Sequence, residues 1–233
     1  MRVSVIIPTH NEAQSIALVL ADLPSDFTTE VIVVDSNSND GTPEIAASMG
    51  ARVVAEPRRG YGRACLTGLA AANSPDVVVF LDGDYSDRPS ELPILLAPIL
   101  EGRADITIGS RLHSQISDGA LPWHQAFGNR LAAGLIRLLY KVQITDLGPF
   151  RAASADVLRA LALEETTYGW AVEMILKGGL AGFRVVEVPV SYYPRIGKSK
   201  ISGTIKGTIG AAWFILSLIV RYYFHRRRSP RRA

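Results

Sequence analysis

The chain has 233 residues, of which 48% are hydrophobic and 20% charged, and this suits one α/β domain with a single core and a C-terminal appendix. Its formal net charge is +3, and residues 221–233 hold six arginines and no acid. The remaining residues, 1–220, carry 19 basic and 22 acidic side chains, a net charge of −3, so the positive charge belongs to the C-terminal tail. Cys65 is the only cysteine, which excludes an intrachain disulfide and gives no sign of an oxidising compartment.

The first half of the chain alternates predicted strands and helices. Its first apolar run is interrupted too early, by Pro8, Asn11 and Glu12, to be a signal peptide, and we therefore expect a cytoplasmic site of action. Apolar runs and helical spacing predict strands at 2–8, 29–36, 51–56, 76–82 and 104–110, with helices at 12–23, 42–50, 62–74 and 90–102. This alternation predicts a doubly wound, mostly parallel sheet of the nucleotide-binding type, in which ligands lie outside the carboxyl ends of the strands.

Four of these strands end in polar segments. The segments are "PTHNE" (8–12), "DSNSNDGT" (35–42), "DGDYSD" (82–87) and "GSR" (109–111). Helix caps explain any one of them, since Asp, Asn, Ser and Thr are preferred there, and Thr42 before Pro43 has this pattern. Four such ends at one edge of a sheet favour a ligand site.

The second half is less regular. We expect a loop at 111–130, a helix at 129–140, a connection at 144–154 that turns into 155–165, and a helix at 169–183. A strand is predicted at 184–195, where Pro189 indicates an edge strand or a bulge, and a loop rich in Gly, Ser and Lys follows at 196–207. We divide the chain into a catalytic domain, 1–205, with halves 1–111 and 112–205, and an appendix, 206–233.

The appendix begins with an apolar helix. Residues 207–220 carry no charge, but this run is shorter than the roughly 20 residues that cross a bilayer. Attachment to a membrane surface is the favoured interpretation, because an apolar helix followed by an arginine tail combines burial with attraction to anionic lipid, and the stem of Arg221 can reach the headgroups. Packing on the domain or on a second subunit, as in a homo-oligomer, and a true membrane span stay open. The basic tail favours the cytoplasmic face.

The acidic segment "DGDYSD" is a candidate metal site. Gly83 permits a turn that would bring Asp82 and Asp84 to one ligand, and paired carboxylates suit Mg²⁺ or Mn²⁺ completed by phosphate oxygens and water. The scattered His10, His113, His124 and His225 make zinc improbable, and the spacing lacks the last acid of a calcium loop. The alternative is a solvated turn with a helix cap at Ser90. We expect Asp87, beside Arg88, to serve structure.

Taken together, the motifs carry a family resemblance. In their order and spacing, "VIIPTHNEAQSI", "VIVVDSNSNDGT", "FLDGDYSDRPSEL" and "IGSR" resemble the inverting glycosyltransferase family 2, whose donor is a nucleotide-sugar. The segments "TDLGPFRA", "YGWAVEM" and "VVEVPVSYYPRIGKSKIS" resemble its polyprenyl-phosphate branch, which contains dolichyl-phosphate mannose synthase. The resemblance reaches to about residue 205, and it implies a GT-A-like fold, a GDP-mannose or UDP-glucose type of donor and a Mg²⁺ or Mn²⁺ cofactor.

The resemblance also implies roles for single residues. The base and ribose would be bordered by Pro8, His10 and Glu12, with a hydrogen bond from the base to Asp35; His10 stands where the branch often has Tyr, and Ser36 replaces a second acid. The donor and its metal would be held by Asp82, Gly83 and Asp84, the diphosphate by Arg111, Arg195 and Lys200, with Asp84, Arg111 and Arg195 as the catalytic set. Ser86 stands where a third metal ligand is expected, which leaves that ligand open. Asn129 and Arg130 are acceptor candidates from a poorly aligned stretch.

The chemistry agrees with these roles. A leaving nucleoside diphosphate is stabilised by a cation and by arginine donors. A lipid phosphate is already anionic near neutral pH and needs no strong base to attack the sugar. If the acceptor is instead a soluble or saccharide hydroxyl, Glu173 is the candidate base; the alternative is that Glu173 pairs with Lys177 at i+4. A non-catalytic adaptor for membranes or nucleic acid would have no use for the acidic strand ends, so no nucleic-acid partner is expected.

Overall fold

A computed structural model of the protein describes residues 1–113, 123–197 and 205–228. Its centre is one seven-stranded sheet in the order β3-β2-β1-β4-β6-β5-β7. The strands are β1 (Val3–Thr9), β2 (Glu30–Asp35), β3 (Arg52–Ala55), β4 (Val77–Phe80), β5 (Ile106–Ser110), β6 (Arg151–Ser154) and β7 (Val185–Pro189). Runs such as "VSVIIPT" and "VVVF" are buried on both faces, as central parallel strands require.

Helices cover both faces of the sheet. The helices are α1 (Ile16–Ala21), α2 (Thr42–Ser48), α3 (Tyr61–Ala71), α4 (Leu92–Leu100), α5 (Trp123–Tyr140), α6 (Ala155–Leu161), α7 (Trp170–Ala181) and α8 (Ile205–Arg228). One apolar core lies between the sheet and α1, α2 and α4; a second lies between the opposite face and α3, α5, α6, α7 and α8. The predicted doubly wound, mostly parallel α/β fold with a C-terminal helix is confirmed.

One strand was not predicted. Residues 144–154 were expected to connect two elements, but 151–154 form β6, which is antiparallel to β4 and β5 and lies between them. The four residues "RAAS" carry too little periodicity to predict a strand, and the pairings that form it come from distant parts of the chain. The other predicted strands are present with shifted ends. Strand β7 is an edge strand, as Pro189 indicated, but it ends at Pro189 and not at residue 195.

Helix α5 begins at Trp123, six residues before the predicted start at 129, within a stretch expected to be a loop. The apolar helix of the appendix is also longer than its uncharged run, because α8 spans Ile205–Arg228. None of the helices within the described ranges is both long and apolar enough to cross a bilayer.

One face of α8 packs on the domain. Leu218 and Ile219 are buried in the core shared with α5 and α7. The hydroxyl of Tyr140 donates to the carbonyl of Ile219, and the hydroxyl of Tyr222 donates to Glu173 Oε1 at 2.8 Å. The appendix is therefore attached to the domain through one face of α8.

Candidate active site

The ends of β1, β2 and β4 meet at one edge of the sheet. Thr9 and Asp35 are register partners, and the backbone N–H of Ser36 donates to the carbonyl of Thr9 at 2.9 Å. Strand β4 is parallel to β1, so the segment that begins at Asp82 leaves the sheet on the same side. This parallel packing brings the polar segments after these three strands together.

The turn after β4 is tight for a reason that the sequence did not indicate. Gly83 does not adopt a positive φ; the residue that does is Tyr85, at φ 60°. A Cβ on Gly83 would lie 2.9 Å from the Thr9 side chain, and its carbonyl accepts a hydrogen bond from the Ser15 hydroxyl at 2.7 Å. Glycine is thus required for close packing, and the strained conformation falls on a bulky residue directly after the acidic pair.

The two acids of this turn differ in their partners. Asp84 is buried, and its Oδ1 accepts from the backbone N–H of Ser86 at 2.9 Å and from the Ser86 hydroxyl at 2.6 Å. Its Oδ2 lies 2.9 Å from Nη2 of Arg195. Asp82 keeps some exposure, but burial and the Asp84 charge raise its pKa to about 7, against the opposing effects of Arg195 and of the Tyr61 hydroxyl. The carboxylates of Asp82 and Asp84 can lie this close together because the positive charge of Arg195 lies beside them.

The segment that carries Arg195 runs along the acidic turn. The N–H of Tyr193 donates to the carbonyl of Ser86 at 2.9 Å, and the N–H of Ile196 donates to the carbonyl of Asp84 at 3.0 Å. The guanidinium of Arg88 lies between two rings, 4.3 Å from the centre of Tyr85 and 3.8 Å from the centre of Tyr193. These contacts fix the backbone on both sides of Arg195 against the turn.

Arg111, at the end of β5, is held by a buried carboxylate. Its Nε and Nη2 donate to Asp146 at 2.7 and 2.8 Å, and its guanidinium lies 4.9 Å from the centre of the Tyr192 ring. Burial works against the charge of Asp146, but the bonds from Arg111 hold the pKa of this carboxyl below its usual value. Backbone N–H groups of Thr145 and Asp146 in turn donate to Glu187 on β7 at 2.9 and 2.8 Å. Arg111 is rigidly positioned.

Two of the residues expected around the nucleotide base, Asp35 and Glu12, are in contact with other side chains of the protein. Asp35 is buried and accepts from the hydroxyl and the backbone N–H of Ser38. Glu12 is buried, and its Oε1 lies 3.6 Å from Arg195 Nη2, so Glu12 lies on the Asp84 side of the site. Pro8 is the register partner of Val34 within the sheet, and Nδ1 of the neighbouring His10 is buried with no hydrogen-bond partner among the described residues.

Asp87 is more deeply buried than a surface turn would allow. It is 1% exposed, and neither carboxylate oxygen has a hydrogen-bond partner among the described residues. Burial and the nearby Asp82 raise the pKa of Asp87 well above its usual value, and its backbone bridges to Tyr192. Burial without a hydrogen-bond partner therefore disfavours the charged form of this carboxyl.

The acceptor candidates lie in three different places. The amide of Asn129 donates to Asp146 Oδ1 at 3.0 Å and so joins the Arg111 network, while Arg130 is exposed on α5. Glu173 is fully buried in α7, where its carboxylate lies 2.9 Å from Lys177 Nζ and accepts from Tyr222 and from the backbone N–H groups of residues 164 and 165. Glu173 therefore pairs with Lys177, which is the alternative to its acting as a catalytic base. Lys200 lies outside the described residues.

Several contributors were not recognised in the sequence. Asp146 and Glu187 lie in the quoted segments "TDLGPFRA" and "VVEVPVSYYPRIGKSKIS", but nothing in the spacing shows that they position Arg111. Tyr61, at the start of α3, is partly buried, and its buried hydroxyl is close enough to Asp82 for each group to affect the pKa of the other. The only signal in the sequence was an acid within a predicted connection, Asp146, and another within a predicted strand, Glu187, and neither indicates a role by itself.

The fit of a divalent metal depends on the two acids of the turn. Among the described ranges no group of three or more His, Cys, Asp and Glu side chains is arranged to hold a metal ion. Mg²⁺ commonly uses only one or two protein carboxylates and completes its shell with phosphate oxygens and water. Asp82 and Asp84 fit such a donor set.

A mostly parallel sheet with acidic and arginine groups gathered at its carboxyl edge is the arrangement of a GT-A-like fold. The chain belongs to the family "Glycosyl transferase family 2", which matches residues 4–165. An uncharacterized glycosyltransferase of Mycobacterium tuberculosis is 37% identical over 219 residues, which cover 92% of this chain and 98% of the relative.

Two relatives with named activities fall in the branch that the motifs resemble. The undecaprenyl-phosphate mannosyltransferase of Micrococcus luteus is 34% identical over 231 residues, covering 89% of this chain and 90% of that protein. The dolichyl-phosphate hexose transferase of Haloferax volcanii is 35% identical over 203 residues, covering 85% and 86%. The resemblance to this branch is confirmed.

Solved structures confirm the fold. Glucosyl-3-phosphoglycerate synthase from Mycobacterium tuberculosis, in complex with Mn²⁺, uridine diphosphate and phosphoglyceric acid, superposes with a TM-score of 0.75. The match covers 95% of this chain and 78% of that one at 24% sequence identity.

Proposed function

We propose that this glycosyltransferase moves a hexose from a nucleotide-sugar to a polyprenyl phosphate, with inversion at the anomeric carbon. The observation that carries the proposal is the arrangement of Asp84 with Arg195 at 2.9 Å, beside the buried Arg111, at the carboxyl edge of the sheet. Relatives that cover most of this chain and are named for undecaprenyl-phosphate and dolichyl-phosphate transfer support the acceptor.

In this proposal Asp82 and Asp84 would hold Mg²⁺ or Mn²⁺ together with the donor diphosphate, and a structural neighbour was crystallised in complex with Mn²⁺ and uridine diphosphate. A bound divalent ion neutralises part of the charge that develops on the leaving nucleoside diphosphate. Arg111 and Arg195 orient the phosphates through donors suited to bidentate contacts.

The lipid phosphate attacks the anomeric carbon from the face opposite the nucleotide. Its oxygen forms the new bond as the bond from the sugar to the diphosphate breaks, and the electron pair leaves with the nucleoside diphosphate. No proton has to be removed from the phosphate near neutral pH. This agrees with the low pKa of Glu173, where burial is outweighed by hydrogen bonds from Glu165, Lys177 and Tyr222, because such a carboxylate is a poor base.

We propose docking at the cytoplasmic face of the membrane through 207–233 together with α5. Residues 123–141 and 205–228 contain no acid. Helix α8 exposes Trp213, Val220 and Phe224, spaced by seven and four residues, and α5 exposes Phe127, Leu131 and Leu138. Large apolar groups beside arginines are the composition of helices that lie in the interface of anionic bilayers.

The test uses the full chain with Mn²⁺ or Mg²⁺ and a panel of labelled nucleotide-sugars, including GDP-mannose and UDP-glucose. Polyprenyl phosphate in anionic vesicles is the acceptor. We expect label in the lipid extract, and its complete absence with every donor would refute the proposal.

A soluble acceptor is the second candidate, because the solved neighbours carry phosphoglyceric acid. The same assay with phosphoglyceric acid and simple sugars separates the two. Activity on a soluble acceptor that survives deletion of 207–233, and that is lost in Glu173→Gln, would favour the second candidate.

A further inference from the structure

Arg195 and Asp84 form a contact that a donor-binding role alone does not explain. Arg195 Nη2 lies 2.9 Å from Asp84 Oδ2 and 3.6 Å from Glu12 Oε1. The Asp84 side chain is 7% exposed and that of Arg195 is 32% exposed. Within the described part of the chain, Arg195 is thus the cation in salt-bridge contact with Asp84.

Both oxygens of Asp84 are engaged. Oδ1 is held by the backbone N–H and the hydroxyl of Ser86, and Oδ2 by Arg195. The bonds from Ser86 are local and belong to the turn. A divalent ion that approaches Oδ2 meets a guanidinium of the same sign, so the ion pair has to open before the ion can bind there.

The opening requires movement of a side chain only. The backbone beside Arg195 is held by the bond from Ile196 N–H to the Asp84 carbonyl at 3.0 Å and by the stacking of Arg88 between two tyrosines. Nε of Arg195 is buried and has no hydrogen-bond partner among the described residues. The guanidinium therefore has an unused donor, which suits a second anion such as a diphosphate.

We infer that Arg195 is the internal counter-ion of Asp84 in the donor-free enzyme, and that it exchanges Asp84 for the nucleoside diphosphate when a divalent metal binds. This inference rests on the proposed use of a metal at Asp84. The exchange makes the metal and the diphosphate bind cooperatively, because each removes a competitor of the other: the metal frees the arginine, and the diphosphate keeps it away from the carboxylate.

The experiment measures binding of Mn²⁺ alone by electron paramagnetic resonance, and of UDP and GDP with Mn²⁺ by calorimetry, in the full chain. Arg195→Gln removes the charge at similar length, and Arg195→Lys keeps it. We expect Arg195→Gln to bind Mn²⁺ alone about five-fold or more tightly than wild type, the low end of coupling between sites, and to bind UDP and GDP more weakly. Arg195→Lys should resemble wild type in its affinity for Mn²⁺.

Two controls separate the ion pair from a general change of charge. Arg184→Gln removes an arginine that pairs with Asp105 at the opposite end of β7, and it should leave the Mn²⁺ affinity unchanged. In an Asp84→Asn background, Arg195→Gln should no longer tighten Mn²⁺ binding. Circular dichroism and thermal unfolding establish that each variant is folded.

The outcomes are distinct. Equal Mn²⁺ affinity in wild type and Arg195→Gln, with Mn²⁺-dependent binding of UDP or GDP intact, would overturn the counter-ion role and leave the proposed function standing. If neither protein bound Mn²⁺ with or without UDP or GDP, the proposed metal site would fail as well. Tighter binding that also appeared in Arg184→Gln would reduce the effect to net charge and overturn the inference.

Discussion

Removing the carboxylate of Asp146 should be among the most damaging single changes outside the acidic turn. The Asp146 side chain is 0% and that of Arg111 9% exposed, so Asp146→Ala leaves a buried guanidinium without its counter-charge. Breaking one partner of such a pair costs about 3–5 kcal/mol. The N–H of Leu147 and the amide of Asn129 also lose their acceptor, which places the expected loss in the upper part of that range.

The assay is urea unfolding followed by circular dichroism, with the free energy of unfolding taken from the midpoint and slope. Asp105→Ala is the matched control, because Asp105 makes a similar two-bond contact to Arg184 at the surface, where the Arg184 side chain is 54% exposed. We expect this control to lose less than about 1 kcal/mol.

A double variant tests the cause. Arg111→Met with Asp146→Leu replaces the pair by apolar groups of similar size and should recover most of the lost stability, although not activity. If Asp146→Ala cost no more than Asp105→Ala, the buried-charge argument would be refuted. Asp146→Asn, which keeps the shape, provides a milder variant should the alanine variant fail to fold.

Three further predictions concern pH, packing and the membrane. Because the folded pKa of Asp146 lies below its ordinary value of 3.8, its contribution to stability is complete above that pH and is lost as the pH falls below it. Urea unfolding between pH 5 and 3 should therefore show a steeper loss in wild type than in Asp146→Asn, and equal slopes would contradict this. Gly62→Ala should cost about 2 kcal/mol or more in thermal unfolding, since a Cβ there collides with the carbonyl of Glu165 and lies 2.6 Å from Trp170 Cβ. Gly134→Ala in α5, with nothing within 4 Å, should instead gain up to about 1 kcal/mol. Trp213→Ser, at a side chain 75% exposed, should weaken co-sedimentation with anionic vesicles without lowering the melting temperature, and unchanged sedimentation would argue against docking through this face of α8.

The sequence predicted the part of the fold in which local pattern and tertiary structure agree. Strands β1 to β5 are continuous apolar runs separated by helices, and the rule that ligands lie at the carboxyl ends of such strands led to Asp84 and Arg111. Strand β6 could not be predicted in this way, because these four residues become a strand only through two partners remote in sequence.

The site was less predictable than the fold. The sequence indicated which residues carry charge, but not which ones neutralise one another. That Asp146 holds Arg111 and that Arg195 holds Asp84 depends on contacts between segments separated by 35 residues or more. The sequence also predicted that the conformational freedom of Gly83 permits the tight turn. In the structure the small size of Gly83 is what matters, and Tyr85 is the residue with a positive φ.

The position of β6 sets the distance between β4 and β5 at the carboxyl edge of the sheet. It separates β4 from β5, so the carboxyl ends of these two strands stand two strand spacings apart, about 10 Å. Because β6 runs antiparallel to β4, the loop that precedes β6 lies between the carboxyl ends of β4 and β5. This loop packs closely, since a Cβ on Gly148 would collide with the carbonyl of Gly109. Arg151 donates to the carbonyls of Leu147 and Gly148 in this loop. The acidic turn itself crosses this interval, because Asp87 bridges to Tyr192, whose ring lies 4.9 Å from the Arg111 guanidinium. The two charged groups are therefore linked by backbone that belongs to neither β4 nor β5.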